Sequence, residues 1–147
     1  MRQEHILTSK KRIILLSSIG VIPFYFELIT YLFFFEIYNN NFFKIRGATS
    51  FYGALIISFL CGMQWERLIS QKKVKFYLLP MIPVIFLWIS FLLSTKFNFN
   101  VLIILGLLWC LIIEIVFIKK IDLWFLKIRL IATILSLIPL FSIFFVV

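Results

Sequence analysis

Apolar residues fall along the chain in long blocks separated by short polar clusters. Five blocks stand out, at roughly 13–38, 51–69, 76–95, 99–118 and 130–147. Each approaches the ~20 residues that a helix needs to cross the hydrocarbon core of a bilayer. The backbone finds no water there, so each block is expected to be helical. Strands of a membrane barrel are about ten residues long and alternate apolar with polar positions, which these blocks do not. The pattern predicts an all-α polytopic membrane protein, one domain over 1–147, built as a bundle of five transmembrane helices.

The block 51–69, FYGALIISFLCGMQWERLI, is the expected central packing helix. Small residues recur at every fourth position, Ser50, Ala54, Ser58 and Gly62, and the next step lands on Glu66. Residues four apart share one face of a helix. Small side chains let a second helix approach closely, so Ala54, Ser58 and Gly62 are the expected packing positions.

Composition sharpens the class. The chain is 63% hydrophobic and 14% charged, against about half and a quarter in an ordinary soluble domain. A net charge of +9 invites a nucleic-acid partner. The charges, however, sit in short clusters between apolar blocks, as membrane topology requires, and nucleic acid is excluded as a partner. Arg2, Lys10, Lys11 and Arg12 precede the first block. The second loop carries Arg67, at the end of its block, with Lys72, Lys73 and Lys75, and the fourth carries Lys119, Lys120, Lys127 and Arg129. These twelve of the fifteen basic residues share one side, while Lys44, Arg46 and Lys96 lie on the other. The positive-inside rule places the N-terminus in the cytoplasm and the C-terminus outside. Lys10, Lys11 and Arg12 also resemble the start of a signal peptide. The apolar run continues to about Tyr38 without a small-residue cleavage site, so it is expected to stay as the first membrane helix.

The prolines fall inside the blocks. Pro23, Pro80, Pro83 and Pro139 each release a carbonyl four residues back, at Ile19, Phe76, Leu79 and Leu135. Ser17, Ser18, Thr133 and Ser136 are placed to compensate, and a packing kink is favoured over a moving hinge. The first loop, 39–49, is short and polar, and the third is a tight turn near 96–100. The fourth, KKIDLWFLKIR, spaces Ile121, Trp124, Phe125 and Ile128 as a helix lying among lipid headgroups would.

Ionisable groups inside a membrane are the natural functional candidates. Glu27 sits near the middle of the first block. It reads either as a proton or cation relay or, preferably, as a carboxyl tying helices together through Ser58 or Gln64. Gln64 and Glu66 lie near the cytoplasmic end of the second block, either as an ion pair of Glu66 with Arg67 or as a polar pocket at the mouth of the bundle. Glu114 is expected to snorkel toward Lys119 and Lys120. Trp65, Arg67, Trp124 and Arg129 are expected at the interface. Cys61 and Cys110 fall mid-block and read as small buried hydrophobes. No catalytic set, phosphate loop or metal-type spacing is visible, and the single histidine, His5, excludes a bis-histidine haem. No cofactor, metal or enzymatic activity is expected.

Gly20-Val-Ile-Pro23-Phe24, Tyr52-Gly53-Ala54 through Ser58-Phe59 to Gly62 and Trp65, and Leu126-Lys-Ile-Arg129 together resemble the domain of unknown function 3429 family. Its members are small bacterial membrane proteins and a mitochondrial relative, transmembrane protein 69 of animals. The family pattern resembles Gly-Gly-x-His-Trp-Gly at the end of the second helix, where this chain has Cys61-Gly62-Met63-Gln64-Trp65-Glu66. Gln64 thus stands in the place of a histidine, keeping hydrogen bonding but not metal or proton chemistry. The resemblance implies fold and a bacterial or mitochondrial inner membrane, and no activity.

Two functions follow as expectations. The first is a non-enzymatic accessory or assembly component of a larger membrane complex, respiratory by the mitochondrial relative, with lipid and other membrane subunits or a second copy as partners. The second is a small oligomeric transporter or channel of protons, ions or metabolites using Glu27. A lipid-acting enzyme ranks last, since topology already accounts for the basic loops.

Overall fold

The computed structural model describes residues 2–39, 47–92, 99–118 and 121–146, with side-chain environments for all of these except 2–9, 38, 39 and 144–146. Lys44, Arg46, Lys96, Lys119 and Lys120 lie outside the described residues, as does the His5 side chain. All regular structure among the described residues is helical: α1 Arg2–Phe33, α2 Phe35–Asn39, α3 Ala48–Ser70, a 3₁₀ turn Val74–Phe76, α4 Met81–Leu92, α5 Phe99–Val116 and α6 Leu123–Val146.

Four described stretches are long and apolar enough to cross a membrane, Lys10–Phe33, Val74–Leu92, Phe99–Val116 and Leu123–Ile143. The fifth expected span, α3, has 23 residues, but Gln64, Glu66 and Arg67 dilute its apolar run. Large apolar side chains cover the outside all round, with Phe33, Leu78 and Phe91 at least three-quarters exposed. Water does not tolerate an apolar surface of that extent on a lone soluble protein. The chain is therefore a membrane protein.

α3 and α5 form the middle layer. α1 and α6 pack together on one side of them, and α4 packs on the other. The core lies between these layers and includes Phe24, Ile57, Cys61, Leu87, Ile103, Leu107, Cys110 and Leu140. A smaller cluster, Leu68, Ile113 and Ile118, closes the far end.

The close approach of α3 to α5 is made one residue away from the expected stripe. The buried face carries Gly53, Ile57, Cys61, Gln64 and Leu68. Ser58 and Gly62 are exposed, while half-buried Ala54 packs against the edge of the core, so two of the three expected packing positions face outward. A Cβ on Gly53 would overlap Ile103 Cγ2, and one on Gly106 would lie 2.7 Å from Ile57 Cδ1. On Gly62 it would meet nothing within 4 Å. The fourfold spacing was real, but a helix repeats such spacing on every face. Volume complementarity with Ile103, which is fully buried, selects the neighbouring register.

The prolines behave differently from expectation as well. Pro80 precedes α4 and Pro83 lies in its first turn, where the missing N–H has no intrahelical use. The α-helix thus begins at Met81 instead of near 76. Two carbonyls associated with proline are capped by aromatic side chains across the bundle. Trp109 Nε1 donates to Leu79 O at 3.0 Å, and Tyr25 Oη donates to Leu135 O at 2.9 Å. Ser18 and Ser136 instead donate to Ile14 O and Ala132 O on their own helices.

The run KKIDLWFLKIR does not form a separate headgroup helix. α6 starts at Leu123 and continues unbroken through Pro139. Asp122 begins it, its carbonyl accepting from Phe125 N–H at 3.0 Å and Leu126 N–H at 3.1 Å. The first block also breaks earlier than 38, at Phe34, before the single turn α2.

Adding one methyl at Gly53 should separate α3 from α5, because the β-branched Ile103 has little rotamer freedom. Gly53→Ala should cost about 1–3 kcal/mol, Gly106→Ala less, and Gly62→Ala nothing measurable. Thermal unfolding of the three variants in one detergent checks the order.

Candidate functional site

Glu27 lies one and a half turns before the end of α1, away from the middle of the span. Its two carboxylate oxygens receive Gly47 N–H at 2.9 Å and Thr49 N–H at 3.0 Å, and the residue is 3% exposed. The partners are thus the first backbone donors of α3, and neither Ser58 nor Gln64 as expected. A helix N-terminus leaves N–H groups unsatisfied and carries a partial positive charge, so a carboxylate there is doubly favoured. Gly47 permits the geometry, since its φ of 81° is open to glycine at no steric cost. Below this cap the α1–α3 seam continues with Thr49 Oγ1 donating to Phe24 O at 3.2 Å and Tyr52 Oη to Gly20 O at 2.9 Å. The Phe24 and Tyr52 rings meet edge-to-face at 5.1 Å. Ser50 donates to Asn100 Oδ1, tying the starts of α3 and α5. These partners of Glu27 lie at the N-terminal end of α3, ahead of the apolar block, where no periodicity marks them.

Glu114 is buried at the opposite end, at 1% exposure, and does not snorkel. Arg67 Nη1 donates to its Oε1 at 2.9 Å, and Arg129 Nε donates to Oε2 at 3.1 Å. One carboxylate on α5 therefore joins α3 and α6. Arg67 does not pair with Glu66. Consecutive residues on a helix diverge by about 100°, so Arg67 turns inward while Glu66 stays exposed. Trp65 is exposed too. Arg67 stacks its guanidinium over Phe125 at 4.8 Å, Lys10 lies 5.2 Å from the Trp124 ring centre, and Trp124 Nε1 donates to Asp122 Oδ2 at 3.0 Å. Lys73 Nζ donates to Phe117 O, a cation on the open carbonyls that end α5.

Gln64 sits one turn deeper and is 1% exposed. Its Nε2 donates to Cys110 O at 2.6 Å, while its Oε1 is buried without a partner among the described residues. The expected cluster of Gln64 with Glu66 does not form, since one faces the core and the other the outside. Cys61 and Cys110 are buried on α3 and α5 with their sulfurs 3.7 Å apart. Among the described residues no three His, Cys, Asp or Glu side chains stand close enough to hold a metal ion.

Beside the Arg129 end, α1, α3 and α6 enclose a cleft of about 200 Å³. It is lined by apolar side chains with Ser17, Thr133 and Ser136 among them and Arg129 at one end. A second cavity of about 320 Å³ opens at the same end of the bundle around Arg67, Gln71 and Asp122.

These geometries make both carboxylates structural ties. Glu27→Gln presents an N–H₂ to one of the two backbone donors, and should lower stability by about 1–3 kcal/mol. Glu114→Ala leaves two guanidiniums unpaired and should cost about 3–5 kcal/mol, with the smaller value set by the exposure of Arg67. Unfolding midpoints in detergent read both, and a Glu27→Gln protein as stable as the wild type would contradict the cap.

The polar ladder lies within a longer match. A family model described as a protein of unknown function, DUF3429, covers residues 9–145. No curated protein and no solved structure matches the chain. The match takes in α1 from its apolar start through nearly all of α6, and with it the Glu27 cap, Gln64 and the Arg67–Glu114–Arg129 bridge. The chain is thus a member of the domain of unknown function 3429 family.

Proposed function

We propose that this protein is a non-enzymatic accessory or assembly component of a larger membrane complex, crossing a bacterial or mitochondrial inner membrane five times with its N-terminus inside. The observation that carries the reading is the outward face of α3. Ser58 and Gly62 are exposed there, and a Cβ on Gly62 meets nothing within 4 Å. The bundle packs without that face, so it is open to a helix of another subunit. Lys10, Arg67, Lys73 and Arg129 gather at one end of the bundle, which supports five crossings with that end in the cytoplasm or matrix. A respiratory complex is the partner class we propose, since the family is expected to include a mitochondrial member.

Transport through Glu27 is the weaker reading. Both carboxylate oxygens accept from backbone donors, which favours a fixed cap over proton exchange.

Native-gel profiling of gently solubilised membranes tests the proposal. The wild type should co-migrate with one large complex across several detergents. Gly62→Leu should release it as a small species whose unfolding midpoint matches the wild type. Migration of the wild type alone, with all large complexes intact in a deletion strain, would overturn the reading. Proton flux in proteoliposomes that Glu27→Gln abolishes would establish the transporter instead.

A further inference from the structure

The bridge at Glu114 is unbalanced. Two guanidiniums meet one carboxylate, so the three bridged side chains carry one net positive charge. Arg67 is 28% exposed and opens onto the polar cavity beside Phe125. Arg129 is 15% exposed and is the one charged residue lining the cleft between α1, α3 and α6.

Along α6 the cleft presents Arg129, Thr133 and Ser136, spaced four and three residues apart and so on one face. Thr133 is 7% exposed. Four helix hydroxyls, those of Ser18, Thr30, Ser136 and Ser142, donate to the carbonyl four residues back. Thr133 has no such bond, and no other partner for its hydroxyl is seen among the described residues. Ser17 faces it from α1, also without a bond among those residues. Further along, the walls are apolar, with Phe24 from α1 and Phe59 from α3. From Arg129 to Ser136 the cleft runs roughly 10 Å at 1.5 Å per residue.

This order of a cation, then hydroxyl donors, then an apolar wall matches the order of groups along a phospholipid. We infer that the cleft holds one anionic phospholipid from the leaflet on the Arg129 side. Its phosphate oxygens accept from the Arg129 guanidinium and balance the extra charge. An ester carbonyl accepts from the Thr133 or Ser17 hydroxyl. The first part of one acyl chain lies against Phe24 and Phe59, and the rest leaves through the open side into the bilayer. The inference is independent of any partner complex.

Native mass spectrometry of the full chain tests it, after reconstitution into bilayers of equal phosphatidylglycerol and phosphatidylcholine and mild release. One phosphatidylglycerol should remain bound in preference to phosphatidylcholine. Thr133→Leu keeps the net charge and the Glu114 bridge but fills the cleft and removes the donor, so retention should fall at least tenfold. Ser17→Leu, on the opposite wall, repeats the test if Thr133→Leu does not fold. Lys72→Gln, which removes an exposed charge, should leave retention unchanged. Equal retention of the two lipids, full retention in both leucine variants, or displacement of the lipid by inorganic phosphate would overturn the assignment.

Discussion

A carboxylate shut away between two guanidiniums decides how one end of this bundle closes. Glu114 is almost fully buried and bonds Arg67 of α3 and Arg129 of α6 from its place on α5. Inside a bilayer an unpaired charge has no water to turn to, so the three helices are held at the distance and rotation that keep the bridge intact. The rotation of α3 that brings Arg67 inward also turns Glu66 out and Gln64 in. α6 must already be helical at Arg129, which accounts for its start at Leu123, ahead of the apolar block.

The same rule governs the other end and the middle. Glu27 takes two backbone donors at the start of α3, while Tyr25 and Trp109 reach across to carbonyls left open near prolines. These bonds replace the ones that solvent would make for a soluble protein. Polar residues that stand out in the membrane sequence, Glu27, Arg67, Glu114 and Arg129, here bond one helix to another.

The sequence showed the membrane class through block length and the basic clusters through their loops, because both depend on composition over many residues. It also singled out Glu27, Gln64 and Glu114 as candidate polar groups, since such residues are rare in apolar blocks, but it sent Glu114 toward the interface where the structure buries it. It did not show their partners. Gly47 and Thr49 lie at the start of α3 and approach Glu27 only because α1 and α3 fold back on each other. The small-residue stripe was legible, but its direction was not. Gly53 and Ala54 are adjacent in sequence, and only the shape of Ile103 on another helix distinguishes them.

The sequence by itself determined that the chain is a helical membrane protein and where most of its helices run. Those properties follow from local hydrophobicity and from the need of each backbone segment to bond within itself. The tertiary structure alone decided which face of α3 is inside, that Glu114 bridges two arginines, and that Glu27 caps a neighbouring helix. Lipid tails are as apolar as leucine, so hydrophobicity assigns no inner face to a membrane helix. Close packing and the pairing of a few polar groups make that choice, and both are properties of helices in contact.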